Sequence, residues 1–138
     1  MSADAAAPTC MLVDRSLMVR RVASRIVREL GFEIVEARSA EEALVAARLR
    51  MPDVVLMDWD MGDMEAPDLL AALRGLPGGD AATLILCTAR RTVEAIHTAL
   101  GAGADEYIMK PFDSDIVASK FRLAGLRGSA QPNRPAAA

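Results

Sequence analysis

Cysteine is scarce in this 138-residue sequence, which has only Cys10 and Cys87. Both sit inside apolar runs, so they read as buried reduced thiols and exclude a disulfide framework. Histidine is scarcer still: His97 stands alone, no second His or Cys completes a ligand set with it, and a surface helix position is expected. No apolar run approaches the roughly 20 residues that span a bilayer. The first eight residues are Ala-rich and carry only Asp4 as a charged side chain, unlike a signal peptide. Positive charge is not in excess either. With 16 Lys and Arg against 19 Asp and Glu, the net charge is −3, which argues against the basic footprint of bulk nucleic-acid binding. A soluble cytoplasmic chain with no membrane insertion is expected.

What is present suits one packed core. The hydrophobic fraction is 52% and the charged fraction 25%, and the length matches a single domain. Short apolar runs alternate with longer helical stretches. Residues 9–13 form an apolar run that ends at Asp14, as a strand buried on both faces would. Helical spacing follows from Ser16 to Leu30, with Gly31 as a stop. Phe32 to Ala37 reads as a second strand, and the capping box Ser39-Ala40-Glu41-Glu42 opens a helix that Pro52 closes. Residues 54–57 are a third strand ending at Asp58, followed by an acidic loop and a helix from Pro67 to Leu76. Residues 83–87 are a fourth, ending at Thr88, with a helix from Thr92 to Ala102 behind it. Residues 106–109 are a fifth, ending at Lys110-Pro111, and the last helix runs from Ser114 to Leu126. Alternation of this kind implies an α/β fold, a doubly wound five-stranded parallel sheet with five helices in a three-layer sandwich. Residues 1–8 read as a flexible N-terminus, 9–127 as the domain and 128–138 as a disordered tail.

In such a sheet, ligands bind beyond the carboxyl ends of the strands. Asp14, Asp58, Thr88 and Lys110 all stand there. Singly each is an ordinary polar strand end; together they place two carboxylates, a hydroxyl and an ammonium on one edge. A carboxylate can attack phosphorus and form an aspartyl phosphate. A divalent cation would neutralise the oxygens brought together, and Asp14, Asp58 and the Asp60 backbone are candidate oxygen ligands. Lys110 can pair with a phosphoryl oxygen as a point charge, and Thr88 can donate its hydroxyl.

The stretches MLVDRSLMVRRV, DVVLMDWDMGDMEAPDLLAALR, LILCTAR and GADEYIMKPF closely resemble the receiver domains of two-component response regulators. The resemblance spans nearly all of residues 9–126 and is nearest to the single-domain, chemotaxis-type branch. It implies a flavodoxin-like sheet of strand order 2-1-3-4-5. It also implies Asp58 as phosphoacceptor, Asp14 as acidic-pocket residue, Thr88 as switch hydroxyl, Lys110 as phosphate-pairing lysine and Mg2+ as cofactor. A cis peptide before Pro111 and an inward-swinging switch aromatic, Tyr107, follow from the same resemblance. So does a function: a phosphoryl group passes from a sensor histidine kinase or phosphotransfer protein to Asp58, and a target protein then binds the face of the fourth helix, fifth strand and fifth helix. The domain would act as a switch that assists its own phosphorylation and dephosphorylation. A monomer is expected, with dimerisation on activation left open.

Three positions depart from the family pattern. Where such receivers carry a second acid that ligates the metal, this chain has Arg15. Either Arg15 points outward and leaves a weakened magnesium site, or its guanidinium lies near Asp58 and stands in for the metal. The first is preferred, because a lone long side chain at a cleft rim snorkels outward. Asp60 could restore the missing charge or place a water, or be a plain loop acid. Gly62 occupies a position often held by proline, so that loop is expected to be looser. Trp59 is expected to flank the pocket.

Arg21, Arg25 and Arg28 recur at helical spacing, with Arg20 beside them, and read first as a solvated face. Arg21, Arg25 and Arg28 also suit docking of the phosphodonor, and Arg21 and Arg25 with Arg90 and Arg91 suit an anionic nucleotide second messenger. Two rivals remain at this point: a pseudo-receiver that binds partners without phosphorylation, and an aspartyl-phosphate phosphatase. The second is disfavoured, since no cap insertion encloses a substrate.

Overall fold

The apolar runs at residues 9–13, 54–57 and 83–87 form buried strands because their residues face a helix layer on both sides of one sheet. A computed structural model of the chain describes residues 7–129. The strands are β1 (Thr9–Val13), β2 (Glu33–Ala37), β3 (Val54–Asp58), β4 (Thr83–Thr88) and β5 (Glu106–Met109). The helices are α1 (Leu17–Glu29), α2 (Ala40–Leu49), α3 (Ala66–Arg74), α4 (Val93–Gly101) and α5 (Ser114–Leu123). All pairings are parallel and the order is β2-β1-β3-β4-β5, as the sequence implied. The expected flexible N-terminus and disordered tail lie outside the described residues, save for residues 7–8 and 128–129. Of these, Pro8 accepts the Glu33 N–H at 2.9 Å and Ser129 donates its N–H to the Gly31 carbonyl at 2.9 Å.

Alternate residues of each central strand enter two separate cores. On the α2–α3–α4 side, Met11, Val13, Val55, Met57, Leu84 and Leu86 pack against Leu44, Leu69, Leu70 and Leu73. On the other side, Leu12, Leu56, Ile85, Cys87 and Ile108 meet Val27 of α1 and Val117 and Phe121 of α5. Phe32 and Phe121 meet edge to face at 5.2 Å, a contact worth about 1 kcal/mol beyond burial. Cys10 and Cys87 are free and buried, and burial pushes the Cys87 thiol up to about 12. No helix among the described residues is long and apolar enough to cross a membrane.

Side-chain caps set the helix starts. Ser16, Ser39, Thr92 and Asp113 accept N–H groups of Val19, Glu42, Ala95 and Ile116 at 2.9–3.2 Å, each cap contributing about 1 kcal/mol. The capping box is only half reciprocal. Glu42 reaches back past Ser39 to accept the Arg38 N–H at 2.8 Å. A second cap comes from far away: the Asp63 carboxylate accepts the N–H groups of Ala40 and Glu41, each at 3.1 Å. That contact ties the loop after β3 to the start of α2. Helix α5 stops at Leu123, short of the expected Leu126, because the chain turns through Gly125 at φ +76°.

Candidate functional site

The ladder carries the candidate residues to one edge. Register pairs Val13 with Met57, Asp58 with Cys87 and Thr88 with Met109, so four strands end nearly level. Backbone bonds extend the sheet through the site: Asp14 N–H donates to Ala37 at 3.1 Å, Trp59 to Cys87 at 3.1 Å and Lys110 to Thr88 at 2.8 Å. The Lys110–Pro111 peptide is cis.

Lys110 Nζ stands between two carboxylates, 2.8 Å from Asp14 Oδ2 and 3.0 Å from Asp58 Oδ1. Asp14 is buried at 7% exposure, and its other oxygen accepts the Ser16 N–H at 2.9 Å. Burial raises Asp58 above the usual carboxylate range, helped by the fields of Asp14 and Asp60 and opposed by Lys110. Burial works against the Lys110 charge too, but its bonds to Asp14 and Asp58 outweigh this and raise it above its ordinary value. The ammonium between the two acids thus favours the charged form of Asp58 against its burial. Such a carboxylate can act as a nucleophile whose charge is already partnered.

Around this centre the expected residues divide. Thr88 is buried, and its hydroxyl oxygen accepts the Arg90 N–H at 2.9 Å, leaving its hydrogen free to donate. Asp60 turns its carboxylate to Arg90 at 2.8 Å, and that guanidinium lies 4.9 Å over the Trp59 ring. Tyr107 is half-buried beside the α2–α3–α4 core, with Lys120 Nζ 4.8 Å above its ring and bonded to Glu106 at 2.9 Å. Pro111 is exposed and lines an apolar groove of about 340 Å³ with Met18, Val22, Ala89 and Phe112, directly beside Lys110.

The arginines occupy three settings. Arg15 is exposed, and a Cβ placed on Gly62 would stand 2.9 Å from its Nη1. Its field reaches Asp63. Arg21, Arg25 and Arg28 are exposed on α1 and line a groove with Glu29 and Glu36, while Arg90 and Arg91 stand at the other loop, Arg91 reaching the Lys110 carbonyl at 3.4 Å. Arg20 was grouped with the solvated face, but it is buried at 6% exposure. Its Nε donates to Glu36 at 2.8 Å and its Nη1 to the Asp14 carbonyl at 2.7 Å, so it braces the strand end that carries the first acid.

Of the residues expected to hold magnesium, Asp14 and Asp58 come together at the edge through Lys110, and the carboxylate of Asp60, whose backbone carbonyl is the expected ligand, pairs with Arg90. Among the described residues, no group of three or more His, Cys, Asp or Glu side chains is arranged to hold a metal. Asp14, Asp58 and the Asp60 backbone carbonyl are the oxygen donors that would hold a divalent cation at this edge, with Arg15 where the family pattern has a further acid.

With this geometry in place, similarity to known proteins is informative. The profile described as response regulator receiver domain matches residues 10–122. The transcriptional regulatory protein TcrX of Mycobacterium tuberculosis is 35% identical over 124 residues, which are 87% of this chain and 50% of TcrX. The chain thus spans about half the length of the curated relatives it matches. The chemotaxis protein CheY4 of Vibrio cholerae superposes with a TM-score of 0.80 at 23% identity, over 86% of this chain and 98% of that one. The receiver domain of the sensor histidine kinase PA1611 of Pseudomonas aeruginosa, described with a magnesium ion coordinated in its active-site cleft, gives 0.78 at 22%, over 87% and 99%. This chain belongs to the response regulator receiver domain family, whose members serve bacterial two-component systems.

Proposed function

We propose that Asp58 is the phosphoacceptor of a two-component switch. The observation that carries this is the Lys110 ammonium held between Asp14 and Asp58 at the carboxyl edge. In the reaction, an Asp58 carboxylate oxygen forms a bond to phosphorus as the bond from phosphorus to the donor's imidazole nitrogen breaks. The leaving imidazole keeps the electron pair. Lys110, freed from one acid, follows the charge onto a phosphoryl oxygen, and Thr88 turns from the Arg90 N–H to donate its hydroxyl to another. Tyr107 then shifts inward from beneath Lys120, and the α4–β5–α5 face is repacked for a target protein. A target shifts this equilibrium only by its differential affinity for the two arrangements.

The phosphodonor is a sensor histidine kinase or a phosphotransfer protein acting in the cytoplasm. The apolar groove of Met18, Val22, Pro111 and Phe112 supports its docking beside the site better than the stripe of Arg21, Arg25 and Arg28, because Lys110 borders that groove. No nucleic acid is assigned to residues 7–129. The transcriptional role in the name of TcrX refers to a protein of which this chain matches half. A nucleotide second messenger gains little support, since the arginines proposed for it divide between α1 and the loop after β4.

The test is intact-protein mass after incubation with acetyl phosphate, for the wild type and Asp58→Asn. A phosphoryl adduct present in the first and absent in the second is expected. Absence from both would favour the second reading, a module that binds partners without phosphorylation, for which Arg15 is the motivating residue.

A further inference from the structure

We infer that Arg20 and Glu36 form a positioning pair for the carboxyl-edge site, through which the edge strand β2 sets where Asp14 meets Lys110. The last paired residue of β1 is Val13, so Asp14 stands just past the ladders to β2 and β3. Its polar groups are nonetheless all engaged. The N–H donates to the Ala37 carbonyl at 3.1 Å, and the Asp14 carbonyl accepts Arg20 Nη1 at 2.7 Å. Oδ1 accepts the Ser16 N–H at 2.9 Å, and Oδ2 accepts Lys110 Nζ at 2.8 Å. Two of these donors are charged. Lys110 holds the carboxylate, and Arg20 holds the main chain that carries it.

Arg20 is itself held. It is buried at 6% exposure, and its Nε donates at 2.8 Å to Glu36, which lies opposite Leu12 in the register of β2 with β1. The guanidinium is planar, so anchoring Nε on β2 fixes the direction in which Nη1 can donate. Packing alone does not account for an arginine here, because apolar side chains of similar volume commonly replace a buried ion pair without loss of stability. Arg20 also lines the small cavity that Asp14 and Asp58 share with Val19, Ala23 and Phe112, while its bonds go to Glu36 and the Asp14 main chain. It therefore acts through Asp14. A main-chain shift at Asp14 would carry its carboxylate away from Lys110 and change how the ammonium is presented to Asp58. The consequence for phosphorylation rests on the phosphoacceptor reading; the placement of Asp14 does not.

The Ser16 amide reads the placement directly, since Asp14 Oδ1 is its acceptor. Amide hydrogen exchange of the full chain, followed by NMR, tests the pair. Relative to Leu56 in the middle of β3, the Ser16 N–H of Arg20→Met should exchange about tenfold faster than in the wild type, as expected on losing a hydrogen bond to a charged group. Glu36→Gln keeps an acceptor on β2 and removes only its charge, at a half-exposed position that tolerates the change. It should accelerate Ser16 about threefold. An unchanged Ser16 amide in both variants would overturn the proposal. The rate of acetyl phosphate labelling then distinguishes positioning from a general structural role. Arg20→Met should slow labelling about tenfold in the wild-type background and less than about twofold beside Asp14→Asn, because a residue that acts through Asp14 has little left to lose there. Equal slowing in both backgrounds would overturn the route through Asp14. No labelling of the wild type would sink the phosphoacceptor reading alone, and the Ser16 amide would still decide the placement.

Discussion

Two cations gather hydrogen-bond acceptors at opposite ends of the sheet, and they do so in different ways. At the carboxyl edge, Lys110 holds two carboxylates that repel one another. At the amino edge, before β4 and β5, Arg74 donates to the carbonyls of Gly79 at 2.9 Å and Gly103 at 2.7 Å, and bonds the Asp105 carboxylate at 2.8 Å. It also donates to the Ala82 carbonyl at 2.6 Å. The planar fork of Arg74 is filled by acceptors that the backbone fixes, so nothing there can exchange partners. The Lys110 ammonium is a point charge on a flexible stem, and its acids can be re-paired or protonated. A staple resolves its charges; a switch leaves them balanced against each other. The difference predicts that the first end supplies stability and the second supplies function.

The largest effect on stability should come from Arg74→Met. It leaves the Gly79, Ala82 and Gly103 carbonyls without their donor, and with bonds to a charged group lost the cost is about 3 kcal/mol. For a domain of this size the melting temperature should fall by about 10 °C. Because most of the acceptors are carbonyls, the loss should stay nearly flat between about pH 5 and 9, where they do not titrate. Acetyl phosphate labelling of Asp58, measured well below the new melting point, should persist. Labelling lost in parallel with stability would break the division between the two ends.

Lys110→Met should show the reverse pattern. At neutral pH it leaves the mostly buried Asp14 and Asp58 without their ammonium, for a cost of about 2 kcal/mol. The cost should vanish at both ends of the pH scale. Toward acid Asp58 takes up its proton, beginning above 3.8 because its folded value is raised. Toward alkali the sign is set by Lys110 itself. Its folded value lies above 10.5, so its contribution is complete below 10.5 and lost as the pH rises through the folded value. Urea midpoints of both proteins across that range would check it, and a difference flat in pH would show Lys110 to be another staple.

The carboxyl end was legible in the sequence for a physical reason. A parallel strand buried on both faces is a continuous apolar run, so the first polar residue after it stands at the sheet edge. Asp14, Asp58, Thr88 and Lys110 are those residues. The amino end was not legible: Arg74 finds partners five to 31 residues along the chain, and no local pattern marks them. Arg20 fails for a similar reason. Helical spacing sets it beside an exposed stripe, but Glu36 and the Asp14 carbonyl, both on other elements, draw it inward. The sequence leaves two positions open for Arg15 because its neighbour Gly62 lies far along the chain, in the loop after β3. The reach of Asp63 to α2 was equally hidden.

The smallest effect tests whether the switch end is strained by its own charge. Burial raises Asp58 above 3.8, which means that folding is opposed by its ionisation despite Lys110. A carboxylate with a raised folded value contributes stability below its unfolded value and loses it as the pH climbs through the folded one. Asp58→Asn removes that titration. The mutant should therefore match the wild type in relative stability near pH 3.8 and gain on it as the pH rises, reaching a plateau by neutral pH. Denaturant midpoints at several pH values would reveal the gap opening in that window. A gap that opened in the other direction would mean that Lys110 more than offsets the burial of Asp58. The phosphoacceptor end would then be as fully resolved as the Arg74 staple, and the contrast between the two ends would lie in reactivity alone.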